Sequence, residues 1–237
     1  MWKEFSHEDV KPKKFMIWKY FLISKILGIT FGLKLMEMGE EKAQQKYGQI
    51  VKVLPGTESI LEDEESHENE LIDLLDEERL KYVGSVVLGL NDALVELTGA
   101  LAGFTLALQN TRLIAMVGLI TGIAASLSMA ASEYLSTKTE GNGKSPIKSS
   151  LYTGSAYVLT VAFLILPYLL FSNVYLCLGL AMTVAVIVIF MFTYYISVAR
   201  EIPMAVRFFE MAGISLGVAT VSFFIGYAIR MFFGIEM

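Results

Sequence analysis

Five stretches of more than 20 mostly apolar residues dominate the chain after residue 82. A helix needs about 20 such residues to cross the hydrocarbon core of a bilayer. Inside that core the chain must satisfy its own backbone hydrogen bonds, which a helix does within one segment. The sequence therefore predicts an all-α fold, a bundle of five transmembrane helices. The predicted spans are Val83–Leu108, Leu113–Leu135, Leu151–Phe171, Val174–Val198 and Met211–Phe233.

Charge is distributed unevenly along the 237 residues. Residues 1–81 hold 17 of the 24 acidic and 12 of the 19 basic side chains, so the net charge of −5 lies in this segment. We therefore expect two domains: an acidic cytosolic segment at 1–81 and a membrane domain at 82–237. No basic patch suited to a nucleic-acid partner is present. The single cysteine, Cys177, has no partner for a disulfide within the chain.

Basic residues in the short loops predict the orientation, because they collect on the cytosolic side of a membrane. The second and fourth loops are basic, whereas the first holds one arginine and the third holds none. This pattern places the N-terminus in the cytoplasm and the C-terminus outside. The loop residues concerned are Lys138, Lys144 and Lys148 in the second loop, Arg200 and Arg207 in the fourth, and Arg112 in the first.

The N-terminal segment predicts a helical hairpin. Apolar residues recur at helical spacing from Phe15 to about Val53, and Pro55 with Gly56 forms a strong stop signal. A second, very acidic helix is expected from about Glu58 to Lys81, with 11 acids between residues 58 and 78. Residues 15–36 are long enough for a sixth span. Because three lysines interrupt them, we favour an amphipathic helix against the bilayer or a partner, and no signal peptide is evident.

The first predicted span carries two acids, Asp92 and Glu96, one helical turn apart. A carboxylate in hydrocarbon costs a few kcal/mol even on lenient insertion scales. Such residues usually face a bundle interior, a watery path or a bound cation. These two side chains therefore indicate a route for a cation through the membrane, with the amide of Asn91 nearby.

The second predicted span repeats this spacing with Met129 and Glu133. Two adjacent antiparallel helices are thus expected to aim carboxylates and a thioether at one point. Oxygen ligands suit hard cations and sulfur suits softer ones, so the mixture favours Fe(II) or another first-row metal. Ordinary packing is the alternative for Met129, and for Glu133 the alternative is a side chain that reaches the membrane interface.

A second candidate metal site lies in the hairpin. Glu64 and His67 form an E-x-x-H pair, the spacing with which di-iron carboxylate bundles hold metal together with a further Glu. Glu40 or Glu37 is the candidate for that further ligand. The alternative is a solvated acidic helix face, in which such a pair arises by chance.

From about Lys81 onward the chain resembles the vacuolar iron transporter family. Residues 88–103, Leu-Gly-Leu-Asn-Asp-Ala-Leu-Val-Glu-Leu-Thr-Gly-Ala-Leu-Ala-Gly, are similar to the Asp-Gly-Leu element of that family's first span. Residues 122–136, Gly-Ile-Ala-Ala-Ser-Leu-Ser-Met-Ala-Ala-Ser-Glu-Tyr-Leu-Ser, are similar to the Ser-Met and Tyr-Leu element of its second span. The count of five spans agrees with the family.

The resemblance implies a homodimeric exporter of Fe(II), with protons as the exchanged ion. It implies that Asp92 is the transport aspartate and Met129 the transport methionine, with Glu96 and Glu133 at positions often acidic in prokaryotic relatives. Two features depart from the family. The loop after the second span is short and holds one acid, Glu140, and Thr121 stands where classic members place a Glu.

The hairpin is similar to one half of a rubrerythrin-type, ferritin-like bundle, through residues 36–47 and 60–67. By this resemblance Glu40, Glu64 and His67 are metal ligands, and two hairpins in a dimer complete a di-iron site.

The leading expectation is a transporter rather than an enzyme, in a prokaryotic cell membrane, carrying Fe(II) first, with Mn(II) or Zn(II) as other candidates. The competing expectations are a membrane-anchored iron-binding or ferroxidase protein without transport, and a structural membrane protein.

Overall fold

The computed structural model describes residues 13–36, 81–141, 143–200 and 202–233. Within these ranges the chain is helical, with short turns and no strand. It divides into two compact units. Of the described residues, the first unit contains 13–36 and 198–200, and the second contains 81–141, 143–197 and 202–233.

Five long apolar helices make up the predicted bundle, and each is long enough to cross a membrane. The all-α, five-span prediction is therefore confirmed. The helices are the first span (Val83–Leu108), the second span (Thr111–Glu140), the third span (Pro146–Leu170), the fourth span (Val174–Arg200) and the fifth span (Met204–Phe233).

Three helices extend further than their apolar cores predict. The second span continues to Glu140, where Gly141 adopts a left-handed conformation (φ 61°) that favours glycine. The third span begins five residues earlier than predicted, at Pro146, a residue suited to the first turn of a helix. The fifth span begins seven residues early and carries an exposed ion pair between Arg207 and Glu210. Loop residues that are polar in sequence thus belong to helix ends.

The two tightest turns have the same chemistry. The side chain of Asn110 accepts hydrogen bonds from the backbone N–H groups of Arg112 and Leu113 at the start of the second span. Asn173 does the same for Tyr175 and Leu176 at the start of the fourth. Each asparagine satisfies backbone donors that a helix start leaves unpaired.

The first span is the centre of the bundle, because it packs against the second, third and fifth spans. Its leucines at 94, 97 and 101 are almost completely buried in the shared core. The fourth span adds a stripe of small residues at helical spacing. That stripe comprises Val174, Cys177, Ala181 and Ala185, all buried, so the lone cysteine is a core residue.

Glycines set the closest helix contacts. A Cβ at Gly89 would lie 2.3 Å from the backbone oxygen of Thr153 in the third span. A Cβ at Gly226 in the fifth span would lie 2.3 Å from the backbone oxygen of Gly103. The glycines of the first span therefore permit the close helix approach that their spacing predicts, against two neighbouring helices.

The N-terminal helix runs from Lys14 to Leu27, and residues 29–36 are helical again. The first arm of the predicted hairpin, from Phe15 to about Val53, is interrupted within the described residues at Gly28, whose φ is 107°. A helix of 14 residues is about 21 Å long, too short for the roughly 30 Å of a bilayer core. It is not among the five candidate spans found in the described residues. The remainder of the predicted hairpin, residues 37–80, lies outside the described ranges.

Candidate metal pathway

One face of the first span carries its polar chemistry. Ser85, Asp92 and Glu96 are separated by seven and four residues, which places them on the same side of the helix. Glu96 is exposed in the single chain and Asp92 is partly exposed. Beside them, the side-chain oxygen of Asn91 is buried and has no hydrogen-bond partner among the described residues. An acceptor-rich face therefore runs along the central helix.

Glu96 is held by the third span. The hydroxyl of Tyr157 donates a hydrogen bond of 2.6 Å to its carboxylate. Tyr157 is completely buried in the hydrophobic core, so its position is set by packing. This distance lies at the short end of the normal range for an O–H···O hydrogen bond. The tyrosine thus positions an otherwise exposed carboxylate.

Glu133 is held by the first span. Ser85 donates a hydrogen bond of 2.6 Å to its carboxylate, and Thr137, one turn along the second span, donates a longer one of 3.5 Å. Ser85 is also anchored through its backbone oxygen, which accepts from Thr153 of the third span. Three spans therefore meet at Glu133, and its carboxylate points into the bundle rather than away from it.

Met129 lies one turn from Glu133 and is partly buried against the hydrophobic core. Packing thus accounts for part of its surface. Because the second span runs antiparallel to the first and Glu133 pairs with Ser85, Met129 lies close to the level of Gly89. That level is between Ser85 and Asp92.

The four residues form a ladder rather than one cluster. At 1.5 Å per residue, the level of Ser85 and Glu133 is about 10 Å from Asp92 and about 16 Å from Glu96. Among the described residues no group of three or more His, Cys, Asp or Glu side chains is arranged to hold a metal ion. The expectation that both helices aim at a single point is therefore not met within one chain, because the acids of the two helices lie at different depths.

The remaining predicted site residues are Thr121 in the second span and four candidates in the hairpin. Thr121, which stands where classic relatives have a Glu, is exposed and donates its hydroxyl to Val117 of its own helix. The hairpin candidates Glu37, Glu40, Glu64 and His67 lie outside the described residues. Their role stays a prediction.

Sequence reasoning missed the two hydroxyl partners, Tyr157 and Ser85. A signal existed for the first: Ser149, Thr153, Tyr157 and Thr160 recur at three- and four-residue spacing along an otherwise apolar span. Such a stripe indicates a polar face turned towards the bundle. Which carboxylate it reaches depends on helix packing.

The described residues form five membrane-spanning helices, and the central one carries two carboxylates of the kind that usually face a bundle interior, a watery path or a bound cation. A model of the VIT family matches residues 83–144, which include Asp92, Glu96, Met129 and Glu133. Residues 83–144 are therefore similar to the vacuolar iron transporter family, in agreement with the sequence resemblance. No curated protein matches the chain.

Proposed function

We propose that this protein exports Fe(II), with Mn(II) as the next candidate, from the cytoplasm in exchange for protons. The observation that carries the proposal is the ladder of carboxylates, two of which, Glu133 and Glu96, accept a hydrogen bond from a hydroxyl of a neighbouring helix. Glu133 receives the metal, Met129 supplies a softer ligand on the way, and Asp92 with Glu96 holds the metal deeper in the first span.

Positioned carboxylates suit transport because they bind either a proton or a divalent cation, but not both at one oxygen. Metal binding therefore releases protons, and protonation releases metal. Bonds from Tyr157 and Ser85 hold the oxygens in place without adding charge. The carboxylates of Glu133, Asp92 and Glu96 are spread over about 16 Å, so a cation that leaves one carboxylate finds the next one further along the first span.

A second copy of the chain is proposed to complete the deeper site. Glu96 is exposed on the outside of the single chain, and the second span exposes Thr121, Ser128 and Ser132. Polar groups facing lipid are unfavourable, and a partner would cover them. A twofold axis through this face would bring two copies of Asp92 and Glu96 together, enough carboxylates for a divalent cation.

Direction and metal capture follow from the charges. The basic second and fourth loops support a cytoplasmic N-terminus, so the acidic hairpin would collect metal inside the cell. Glu40, Glu64 and His67 are the proposed capture ligands, with Glu37 as a further candidate, and pairing of two hairpins in the dimer would form a di-iron site. The membrane is proposed to be a prokaryotic cell membrane.

The test is metal flux in proteoliposomes across a pH gradient, with Fe(II), Mn(II) and Zn(II) in competition. The proposal expects Fe(II) uptake driven by the gradient, matched by proton movement in the other direction. Asp92→Ala should abolish flux while the hairpin still binds iron. Flux that ignores the pH gradient would contradict proton exchange, and flux that survives in Asp92→Ala would contradict the pathway.

The same preparation tests the competing function of a membrane-anchored ferroxidase. That function expects oxygen consumption with Fe(II) that is lost in His67→Ala and unchanged in Asp92→Ala. The proposed dimer is tested separately with Ser132→Cys, which should cross-link under mild oxidation. Met191→Cys, on the exposed side of the fourth span, is the matched control and should not cross-link.

A further inference from the structure

The exposed surface of the N-terminal helix (Lys14–Leu27) is unusual. Phe15, Trp18, Leu22 and Ile26 follow one another at spacings of three and four residues and so form one apolar stripe. Their exposed fractions are 76%, 61%, 38% and 62%. Exposed apolar stripes of this kind mark a surface that binds something.

The opposite side of this helix is already used. A Cβ at Gly32 would lie 1.9 Å from the hydroxyl oxygen of Ser24, so residues 29–36 fold back against that side. At 3.6 residues per turn, Ser24 lies nearly opposite the middle of the apolar stripe. Residues 29–36 therefore cover this side only around Ser24, since Ile17 and Phe21 nearer the start of the helix are 57% and 64% exposed, and the stripe itself faces outward.

Lysines border the stripe on both edges. Lys14 and Lys25 lie along one edge and Lys19 along the other, all three exposed. Residues 13–36 contain five lysines and no acid, in a chain whose net charge is −5. The surface is therefore apolar at its centre, positive at its rims and complementary to a negative partner.

We propose that this helix lies in the headgroup region of the bilayer and binds anionic lipid. An apolar stripe with tryptophan and basic edges is the pattern of helices that rest in the membrane interface. Its length of 14 residues and its break at Gly28 exclude a crossing. Long lysine side chains can bury their stems beside Trp18 while their ammonium groups meet lipid phosphates. The inference does not depend on the proposed transport activity.

Trp18 provides a direct probe, since the chain has only two tryptophans and Trp2→Phe leaves Trp18 alone. The full-length Trp2→Phe variant is placed in lipid nanodiscs, in which both membrane faces are open to solution. Two quenchers are compared: lipid brominated along its acyl chains, and acrylamide in the water. We expect about a twofold loss of emission with brominated lipid and protection from acrylamide, because an interfacial helix buries its apolar face 5–10 Å deep.

The charge component is tested by lipid composition. Quenching by brominated lipid should increase when anionic lipid replaces zwitterionic lipid. The equilibrium constant for binding of the helix to the membrane surface should rise by up to about fivefold for each lysine near that surface. The triple variant Lys14→Gln, Lys19→Gln, Lys25→Gln should lose this dependence. The matched triple variant with arginine should keep it, because the charge is retained.

Three outcomes would overturn the proposal. Free access of acrylamide to Trp18, without quenching by lipid, would show a solvent-exposed helix. Protection from both quenchers would show that protein covers the stripe, either the acidic residues 58–78 of the same chain or a second copy. Equal docking of the glutamine and arginine variants would remove the role of anionic lipid. If Trp2→Phe fails to fold, the unsubstituted protein is compared with Trp18→Phe, and the difference between their quenching curves reports Trp18.

Discussion

The N-terminal helix and the first span are both apolar helices, yet they differ in almost every physical respect. The N-terminal helix has 14 residues, three lysines, no acid and four aromatic side chains. The first span has 26 residues, two acids, no base, four glycines and one aromatic side chain. One exposes its large side chains, whereas the other buries much of its surface among neighbouring helices.

The contrast shows how a helix is assigned to its surroundings. Length decides whether a bilayer can be crossed. Glycine instead of aromatic residues decides whether other helices can approach closely. The sign of the charge then separates roles, because lysines attract lipid phosphates and carboxylates attract cations.

The largest expected effect is on metal flux, when one charged side chain is removed from either helix. Asp92→Asn removes one carboxylate from the first span, and metal flux should fall by more than about 100-fold, beyond the 10–100-fold typical of groups that only orient a ligand. Lys19→Gln removes one charge from the N-terminal helix and should leave flux per inserted protein within about twofold. Flux in proteoliposomes measures both. Equal losses of metal flux in the two variants would show that the charges of the two helices do not have separate roles.

The next effect tests the close packing of the first span. In Gly89→Ala the new methyl group meets the backbone oxygen of Thr153, which cannot move without shifting the third span. We expect destabilisation of about 1–3 kcal/mol. Gly84→Ala is the matched control, since a Cβ there meets nothing within 4 Å, and it should gain up to about 1 kcal/mol from helix propensity. Unfolding in detergent gives both values, and stability unchanged in Gly89→Ala would contradict the packing.

A smaller effect is expected at the hydroxyl that holds Glu96. Tyr157→Phe keeps the buried ring and removes the bond of 2.6 Å. Apparent metal affinity should weaken by about tenfold, as is usual when a group orienting a ligand is lost. Tyr152→Phe on the same helix is the control, because its described contact is ring stacking on Tyr82. The apparent affinity is measured from metal flux at increasing metal concentration. Equal affinities in Tyr157→Phe and Tyr152→Phe would show that the hydroxyl of Tyr157 does not contribute to metal binding.

The smallest effect concerns the bond between Ser85 and Glu133. Among the described residues, Ser85→Ala leaves Glu133 with the 3.5 Å contact from Thr137, and the bundle should lose about 1 kcal/mol, a typical net value for one hydrogen bond. Ser155→Ala is the control, because that exposed hydroxyl donates along its own helix, to the backbone oxygen of Tyr152. It should change stability by less than about 0.5 kcal/mol. The same unfolding assay compares them, and a loss in Ser155→Ala as large as in Ser85→Ala would show that the contact across the helices adds nothing.

The architecture was accessible from the sequence because its signals are local. Span-length apolar runs predict the five helices, and the asparagines at 110 and 173 mark two of the turns. The motifs around Asp92 and Met129 predict the similarity of residues 83–144 to the VIT family. The break at Gly28 was missed because a glycine inside an apolar run is compatible with either a continued helix or a left-handed turn.

Only part of the candidate site could be predicted from the sequence, and the reason is physical. Helical spacing shows that Asp92 and Glu96 share a face, since both lie on one element. The relative depths of residues on two different helices depend on how the helices are aligned along their axes. Close contacts at glycines, such as that of Gly89 with Thr153, fix this alignment. Hence the sequence predicts the acids but not their separation along the membrane.

By itself the sequence determined the all-α class and the number of spans, and it supplied the residues proposed to bind a cation, because hydrophobicity, length and charge are properties of single segments. Only the tertiary structure decided that Tyr157 holds Glu96, that Ser85 holds Glu133, and that the acids form a ladder. It also decided that the stripe of the N-terminal helix faces outward. These outcomes come from packing between helices, in which side chains far apart in sequence meet.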